Sequence, residues 1–259
     1  HPRSAGLAVR GALSARRSSL GALATEPFRE LLDGLDAVLV AGVRSLLLVG
    51  AGLLAGWWFY VPLHELLHAF GCWLAGGEVT RLEIAPLYGA RWLARIFPFV
   101  TSGGEYAGRL SGFDTHGSDW VYALTDLAPF GMALFPGFWW LRRAARAGRP
   151  IAFGAALPAA FGPVLSLTGD AYELGSLAVV HLPFWHGRRV LVGDDLVAKL
   201  AEVVGRDESG LLPGLIAAAL LGLVWAFAWM LLAGAVATRL GEPPLARQPA
   251  RTVPGAGSG

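Results

Sequence analysis

The chain alternates between long apolar stretches and shorter segments that are rich in polar residues. The apolar stretches cover residues 45–75, 119–141, 151–182 and 211–238. Because an α-helix rises about 1.5 Å per residue, each stretch is long enough to cross a hydrocarbon core of about 30 Å. The pattern predicts an α-helical polytopic membrane protein with about four transmembrane helices.

The segments outside these stretches differ in their polar pattern. Residues 1–44 predict a basic N-terminal tail that leads into an interfacial helix. Residues 77–118 contain short alternating stretches and glycine or proline turn signals, which indicate strands and loops in a small membrane-associated β-hairpin region. Residues 183–210 predict a polar loop with a short helix, and the Pro- and Gly-rich residues 239–259 predict a disordered tail.

The composition agrees with a membrane protein. Hydrophobic residues make up 54% of the chain and charged residues 15%, and the mean hydropathy is +0.52, which is too apolar for an ordinary soluble domain. The single cysteine, Cys72, excludes an intrachain disulfide and a thiolate-rich zinc site. The sequence contains no glycine-rich phosphate loop, no serine-nucleophile motif and no nucleic-acid-binding signature.

The distribution of basic residues predicts the orientation of the four spans. Residues 1–44, 142–150 and 239–259 hold 13 Lys and Arg, whereas residues 77–119 and 183–210 on the other side hold 8. Basic residues concentrate on the cytoplasmic side of a membrane. We therefore expect an integral, multi-pass protein with both termini in the cytoplasm.

Two histidines and one glutamate interrupt the first apolar stretch, and their spacing indicates metal chemistry. His64 and His68 are four residues apart, so both imidazoles project from one face of a helix, with Glu65 beside them. Neutral imidazoles suit zinc, and a nearby carboxylate can take a proton from an attacking water. The alternative is that the three residues are structural and pair with one another inside a helix bundle. An ionisable side chain inside a span costs a few kcal/mol, which favours a functional role.

The His-Glu-Leu-Leu-His motif in a span, followed by the segment from Gly76 to Gly89, resembles the site-2 protease family of intramembrane zinc metalloproteases. The resemblance covers about residues 45–182 and implies a metalloprotease-like core of three helices, in which an Asp on the third helix is the third zinc ligand. This chain differs from the family in two ways. It contains no Asn, and the family's Leu-Asp-Gly element is replaced by Leu167-Thr168-Gly169-Asp170.

Asp170 is the favoured third zinc ligand, because its depth in the third span is similar to that of His64 in the first. It follows predicted helix breaks at Pro158, Gly162-Pro163 and Gly169. Asp126 in the second span and Glu173 are alternative ligands. His181 and His186 lie near the span boundary, where an interfacial role is expected.

Two functions remain open at this point. The first is an intramembrane zinc-dependent endopeptidase that cuts a peptide bond in or near a transmembrane segment of a membrane protein, with Glu65 as the catalytic base and His64, His68 and Asp170 as ligands of Zn²⁺. The second is a catalytically inactive protein of the same fold that serves as a binding or scaffold subunit of a membrane protein complex.

Overall fold

The computed structural model describes residues 25–104, 106–185 and 189–245. Nine helices and three strands are described, in the chain order α1 (25–38), α2 (Val43–Leu74), β1 (Glu78–Ile84), α3 (Ala90–Ile96), β2 (Val100–Ser102), β3 (Gly108–Asp114), α4 (Asp119–Leu127), α5 (Phe138–Arg146), α6 (Pro150–Leu165), α7 (Asp170–Val180), α8 (Leu196–Gly205) and α9 (Leu212–Arg239).

Four helical segments are long and apolar enough to cross a membrane: Val43–Leu74, Asp119–Arg146, Pro150–Val180 and Ser209–Arg239. They coincide with the four apolar stretches, so the prediction of about four membrane-spanning helices is confirmed at the level of length and composition. The second segment extends to Arg146, five residues beyond its predicted end at Leu141. The basic residues after Leu141 remain helical, as the last part of α5.

The second and third segments are interrupted helices. The second passes through a 3₁₀ turn at Ala128–Phe130 and a π turn at Ala133–Gly137 before α5 begins. The third breaks between Leu165 and Asp170, which confirms the predicted break at Gly169. The predicted breaks at Pro158 and Pro163 are wrong, because α6 continues through both prolines. Neighbouring helices pack around α6 and can support a helix that lacks two backbone N–H donors.

Glycines allow α2 and α6 to touch along their backbones. A Cβ atom added at Gly52 would lie 2.1 Å from the carbonyl oxygen of Ile151, and one added at Gly154 would lie 2.1 Å from that of Val49. Small residues that let helix backbones approach closely are the usual means of helix association in a membrane. The contact fixes α6 against the helix that carries the histidine pair.

The same arrangement joins α7 to α9. A Cβ atom at Gly175 would lie 2.1 Å from the carbonyl oxygen of Ala218, and one at Gly222 would lie 2.3 Å from that of Ala171. Since α7 begins at Asp170, this contact sets the position of the carboxylate at its first residue.

The three strands form one mixed sheet with the order β2-β1-β3. Strand β1 is parallel to β2 and antiparallel to β3. The predicted β-hairpins are therefore wrong: α3 connects β1 to β2 as a crossover, and β3 then pairs on the other side of β1. Leu82 and Ile84 of β1 are fully buried in a cluster that includes Leu66 of α2, which attaches the sheet to the helices.

Two polar networks join segments that are distant from each other along the chain. Arg142 of α5 is buried and donates to both carboxylate oxygens of Glu30, at 2.6 and 2.5 Å, and to the carbonyl oxygen of Glu242 at 2.7 Å. Asp119, at the start of α4, accepts from Arg189 at 2.6 and 2.8 Å and lies 3.0 Å from His181 Nε2. These networks connect the loops and terminal segments to the helix ends.

Some predictions concern the segments at the two ends of the chain. Residues 25–38 are helical, as expected for the segment before the first span, whereas the basic tail over residues 1–24 lies outside the described residues. The expected short helix in the polar loop is confirmed as α8. In the predicted disordered tail, Glu242 is buried and pairs with Arg146; residues 246–259 lie outside the described residues.

Replacing Gly52 by Ala should separate α2 from α6, since the new methyl group would overlap the Ile151 carbonyl. We expect the free energy of unfolding to fall by about 1–3 kcal/mol, as in other overpacked contacts. Gly50→Ala is the matched control two residues away, where no atom lies within 4 Å of an added Cβ. Thermal unfolding of the detergent-solubilised variants measures both effects. Equal stability of the two variants would contradict the close helix contact.

Candidate metal centre

The two histidines of α2 direct their rings to one point. The ring centroids of His64 and His68 are 4.8 Å apart, and their Nε2 atoms are 3.2 Å apart. Both residues are buried. The four-residue spacing places them one turn apart on the same helix face, as the sequence predicts.

Asp170 adds a carboxylate to the histidine pair. Its Oδ2 atom lies 3.2 Å from His64 Nε2, and its Oδ1 atom lies 3.4 Å from His68 Nε2. In the part of the chain that the structure describes, these three residues are the one group of three or more His, Cys, Asp or Glu that could hold a metal ion. The break before α7 is what brings the first residue of this helix to α2.

Ser166 orients the Asp170 carboxylate. The serine Oγ donates to Asp170 Oδ2 at 2.7 Å and accepts from the Asp170 backbone N–H at 3.2 Å. Sequence reasoning missed this residue. A serine four positions before an Asp that starts a helix is the available signal, because such a hydroxyl can satisfy the first free N–H groups of the helix.

A backbone carbonyl orients His68. His68 Nδ1 lies 2.8 Å from the carbonyl oxygen of Thr125 in α4. A carbonyl can only accept, so Nδ1 carries the hydrogen and, in the neutral ring, the lone pair of Nε2 faces Asp170 and His64. A contact through a main-chain atom has no signature in the sequence, which is why this role of Thr125 was not predicted.

The donor atoms fit a zinc ion. Ligand atoms about 2.0–2.2 Å from a tetrahedral zinc lie roughly 3.3–3.6 Å from one another. The two Nε2 atoms are 3.2 Å apart, and each has a different Asp170 oxygen nearby, Oδ2 at 3.2 Å from His64 and Oδ1 at 3.4 Å from His68. With a neutral His68, the carboxylate and the ring lone pair are both acceptors that face each other, so a cation between them would remove their repulsion. Three protein ligands leave a fourth coordination position for water or substrate.

Glu65 borders the same cavity, next to β3. A Cβ atom added at Gly108 would lie 2.3 Å from Glu65 Cγ and 2.9 Å from Oε1, so the carboxylate occupies space that only a glycine leaves open. The structure therefore places the predicted catalytic base beside the predicted ligands. Sequence reasoning did not identify Gly108, because nothing along the chain relates β3 to Glu65.

A cavity of about 280 Å³ contains the centre. Its walls come from α2, β3, α4, α7 and the residues just before α8. The lining is strongly acidic: within the described residues one cationic side chain, Arg109, faces the carboxylates of Glu65, Asp126, Asp170, Glu173, Asp194 and Asp195.

The two alternative ligands line the cavity but do not join the three-residue group. Asp126 is buried, and its Oδ2 atom has no hydrogen-bond partner among the described residues. Glu173 accepts a hydrogen bond from the Tyr122 hydroxyl, which joins α4 to α7. The structure thus places Asp170, and neither Asp126 nor Glu173, within ligand distance of both histidines.

The other described histidines do not line this cavity. His181 pairs with Asp119, and His116 lies 3.4 Å from the Asp114 carboxylate. His186 lies outside the described residues.

No family model, curated protein or solved structure matches the chain. A functional assignment therefore rests on the geometry of the centre and on general chemistry.

The donor set predicts that the purified protein binds about one zinc per chain, and that His64→Ala or His68→Ala abolishes the binding, because each removes one of three protein ligands. Asp170→Asn should weaken zinc retention. Ser166→Ala should lower the affinity by about 10-fold or more, since it removes a group that orients a ligand. Metal analysis of the detergent-solubilised protein measures these effects.

Asp126→Asn is the matched control for Asp170→Asn, because it makes the same change in another carboxylate of the cavity. It should retain zinc. Loss of zinc in Asp126→Asn together with retention in Asp170→Asn would contradict the ligand assignment.

Proposed function

We propose that the protein is an intramembrane zinc-dependent endopeptidase, similar to site-2 proteases, that hydrolyses a peptide bond in or near a transmembrane segment of another membrane protein. One observation carries this proposal. His64, His68 and Asp170 bring three ligand atoms together in a cavity that the Glu65 carboxylate also borders, and the cavity is built largely by helices that are apolar enough to span a membrane.

The residues of the centre have separate roles in this proposal. His64, His68 and Asp170 hold the zinc ion. When bound, zinc supplies Lewis-acid polarisation of a peptide carbonyl and activation of water. Glu65 accepts a proton from the attacking water and later passes it to the leaving amine nitrogen. Gly108 leaves room for this carboxylate beside β3.

The outer edge of β3 supports a role in substrate binding. Within the described sheet β3 pairs with β1 alone, and Gly108, Arg109 and Leu110 of β3 line the cavity. An extended peptide can add to such an edge through main-chain hydrogen bonds. This arrangement suits proteolysis, because a helical peptide keeps its carbonyls in internal hydrogen bonds whereas an extended one can present a carbonyl to the centre.

The second candidate function is a catalytically inactive scaffold subunit of a membrane complex. The chain lacks any Asn, and its Asp170 follows a glycine instead of preceding one, in contrast to the family it resembles. These two differences favour this alternative. A scaffold would keep the fold and the metal without needing the base.

Glu65→Gln separates the two functions, since it retains the size of the side chain and removes the base. We expect cleavage of a model transmembrane substrate to fall by roughly 10²- to 10⁴-fold, with zinc content unchanged. Glu208→Gln, a change of the same kind on an exposed residue, is the control and should cleave at the normal rate. Cleavage that persists in Glu65→Gln would contradict the mechanism. A zinc-loaded wild type that cleaves nothing would support the scaffold.

The proposed orientation places both termini in the cytoplasm. The excess of basic residues at 1–44, 142–150 and 239–259 supports it. The hydrogen bonds of Arg142 to Glu30 and Glu242 bring residues from these three segments together, as expected if all three lie on the same side of the membrane.

Reporter fusions test this orientation. A reporter fused after Arg146 should give a cytoplasmic signal, and one fused after Leu200 an external signal, because one predicted loop lies on each side. A fusion after Thr115 is the control and should agree with Leu200. The opposite pattern would show that the charge bias does not set the orientation of this chain.

A further inference from the structure

The acidic side chains of the cavity are not all used by the proposed chemistry. Asp170 belongs to the ligand set, and Glu65 is the base. Asp194 pairs with Arg109 at 3.6 Å, and Asp195 accepts from the backbone N–H of Ala198 at 2.8 Å, where it caps α8. Asp126 and Glu173 are neither metal ligands nor the base in the proposed chemistry.

Asp126 has the strongest need for a partner. It is 6% exposed, it lines the cavity, and its Oδ2 atom accepts no hydrogen bond from the described residues. A carboxylate removed from water without a donor is unfavourable. A group that enters the cavity with N–H donors and a positive charge would satisfy it.

Glu173 lines the same cavity as Asp126. The Tyr122 hydroxyl of α4 donates to Glu173 and so joins α7 to the helix that carries Asp126, and two carboxylates in one cavity repel each other when both are charged. A cation between them would offset this repulsion. A metal ion would bind less well at this position, because the described residues provide two carboxylates and no third ligand there.

The charge of the whole cavity favours the same kind of ligand. Six carboxylates and one guanidinium give a formal charge of −5 with neutral histidines, and a divalent ion in the centre lowers this only to −3. A positively charged side chain is attracted to such a cavity, whose apolar surroundings screen the charges poorly.

From these observations we propose that Asp126 and Glu173 form a binding site for a lysine or arginine side chain of the substrate, close to the bond that is cut. The proposal rests on the proposed protease function and specifies its substrate class, which is a polypeptide with a basic residue next to the scissile bond. Ammonium and guanidinium groups supply the donors that Asp126 lacks and form charge-assisted hydrogen bonds with both carboxylates.

Peptide hydroxamates test this site, because the hydroxamate binds to zinc and fixes the neighbouring side chain in the cavity. Two hydroxamates are compared that are identical except for Lys or Met next to the metal-binding group. We expect the wild type to bind the Lys compound about 10-fold more tightly or better, as for a charged hydrogen bond. Asp126→Asn and Glu173→Gln should lose this preference and bind the Met compound as the wild type does.

Asp195→Asn is the matched control. It removes a charge from the same cavity, and asparagine can still cap α8. It should keep the preference for Lys. Equal binding of the two compounds by the wild type would overturn the proposal. A preference lowered equally by Asp195→Asn would overturn it as well, since that result indicates a general negative field and no defined site.

Butylguanidinium provides a second measurement that needs neither zinc nor turnover. It should raise the thermal unfolding midpoint of the wild type and of Asp195→Asn, but not of Asp126→Asn. If the wild type cleaves no substrate and butylguanidinium still stabilises it in this pattern, the protease function fails and the cation site stands. If cleavage occurs and butylguanidinium has no such effect, the cation site is rejected and the protease function stands.

Discussion

Two imidazole nitrogens and one carboxylate meet among helices apolar enough to span a membrane, with each Nε2 atom within 3.4 Å of an Asp170 oxygen, and this contact is the constraint on which the rest of the structure depends. Each ionisable side chain costs a few kcal/mol inside a bilayer unless it has a partner. His64, His68 and Asp170 reduce this cost only if α2 and the start of α7 lie side by side. The broken third segment makes this possible, because Asp170 begins a new helix whose first turn is held by Ser166.

Backbone contacts between helices maintain this geometry. Burial of apolar surface does little to bring helices together in a lipid environment, so close packing and hydrogen bonds must do so. Gly52 and Gly154 allow α2 and α6 to touch, and Gly175 and Gly222 allow α7 and α9 to touch. The centre therefore depends on glycines that are distant from it along the chain. Beside β3, Gly108 leaves room for the Glu65 carboxylate, because a glycine has no side chain to fill the space that Glu65 occupies.

Much of this arrangement follows from local sequence patterns. Apolar length predicted the four helices, and the four-residue spacing predicted that His64 and His68 converge. The depth of Asp170 along its span favoured it over Asp126, but depth cannot show which way a helix is rotated, so the position of Asp170 needed the packed structure. The contact of His68 with the Thr125 carbonyl and the position of Gly108 depend on tertiary packing, which no local pattern encodes.

The sheet illustrates the same limit. Turn signals in residues 77–118 indicated strands correctly, but they also suggested hairpins, whereas α3 forms a crossover that makes β1 and β2 parallel. Pairing depends on which edge of β1 each later strand meets, and turn residues do not determine this. The difference matters for the proposed function, because β3 lies at an edge of the described sheet and beside the centre.

X-ray absorption at the zinc edge of the metal-loaded wild type tests the central claim most directly, since it gives the ligand distances, separates sulfur from nitrogen or oxygen, and recognises imidazole rings by their multiple scattering. The structure predicts two imidazole nitrogens and oxygen ligands at about 2.0–2.2 Å, with no sulfur. A sulfur ligand, which could come only from Cys72 or a methionine, or fewer than two imidazoles would contradict the assignment of His64, His68 and Asp170 as the metal centre.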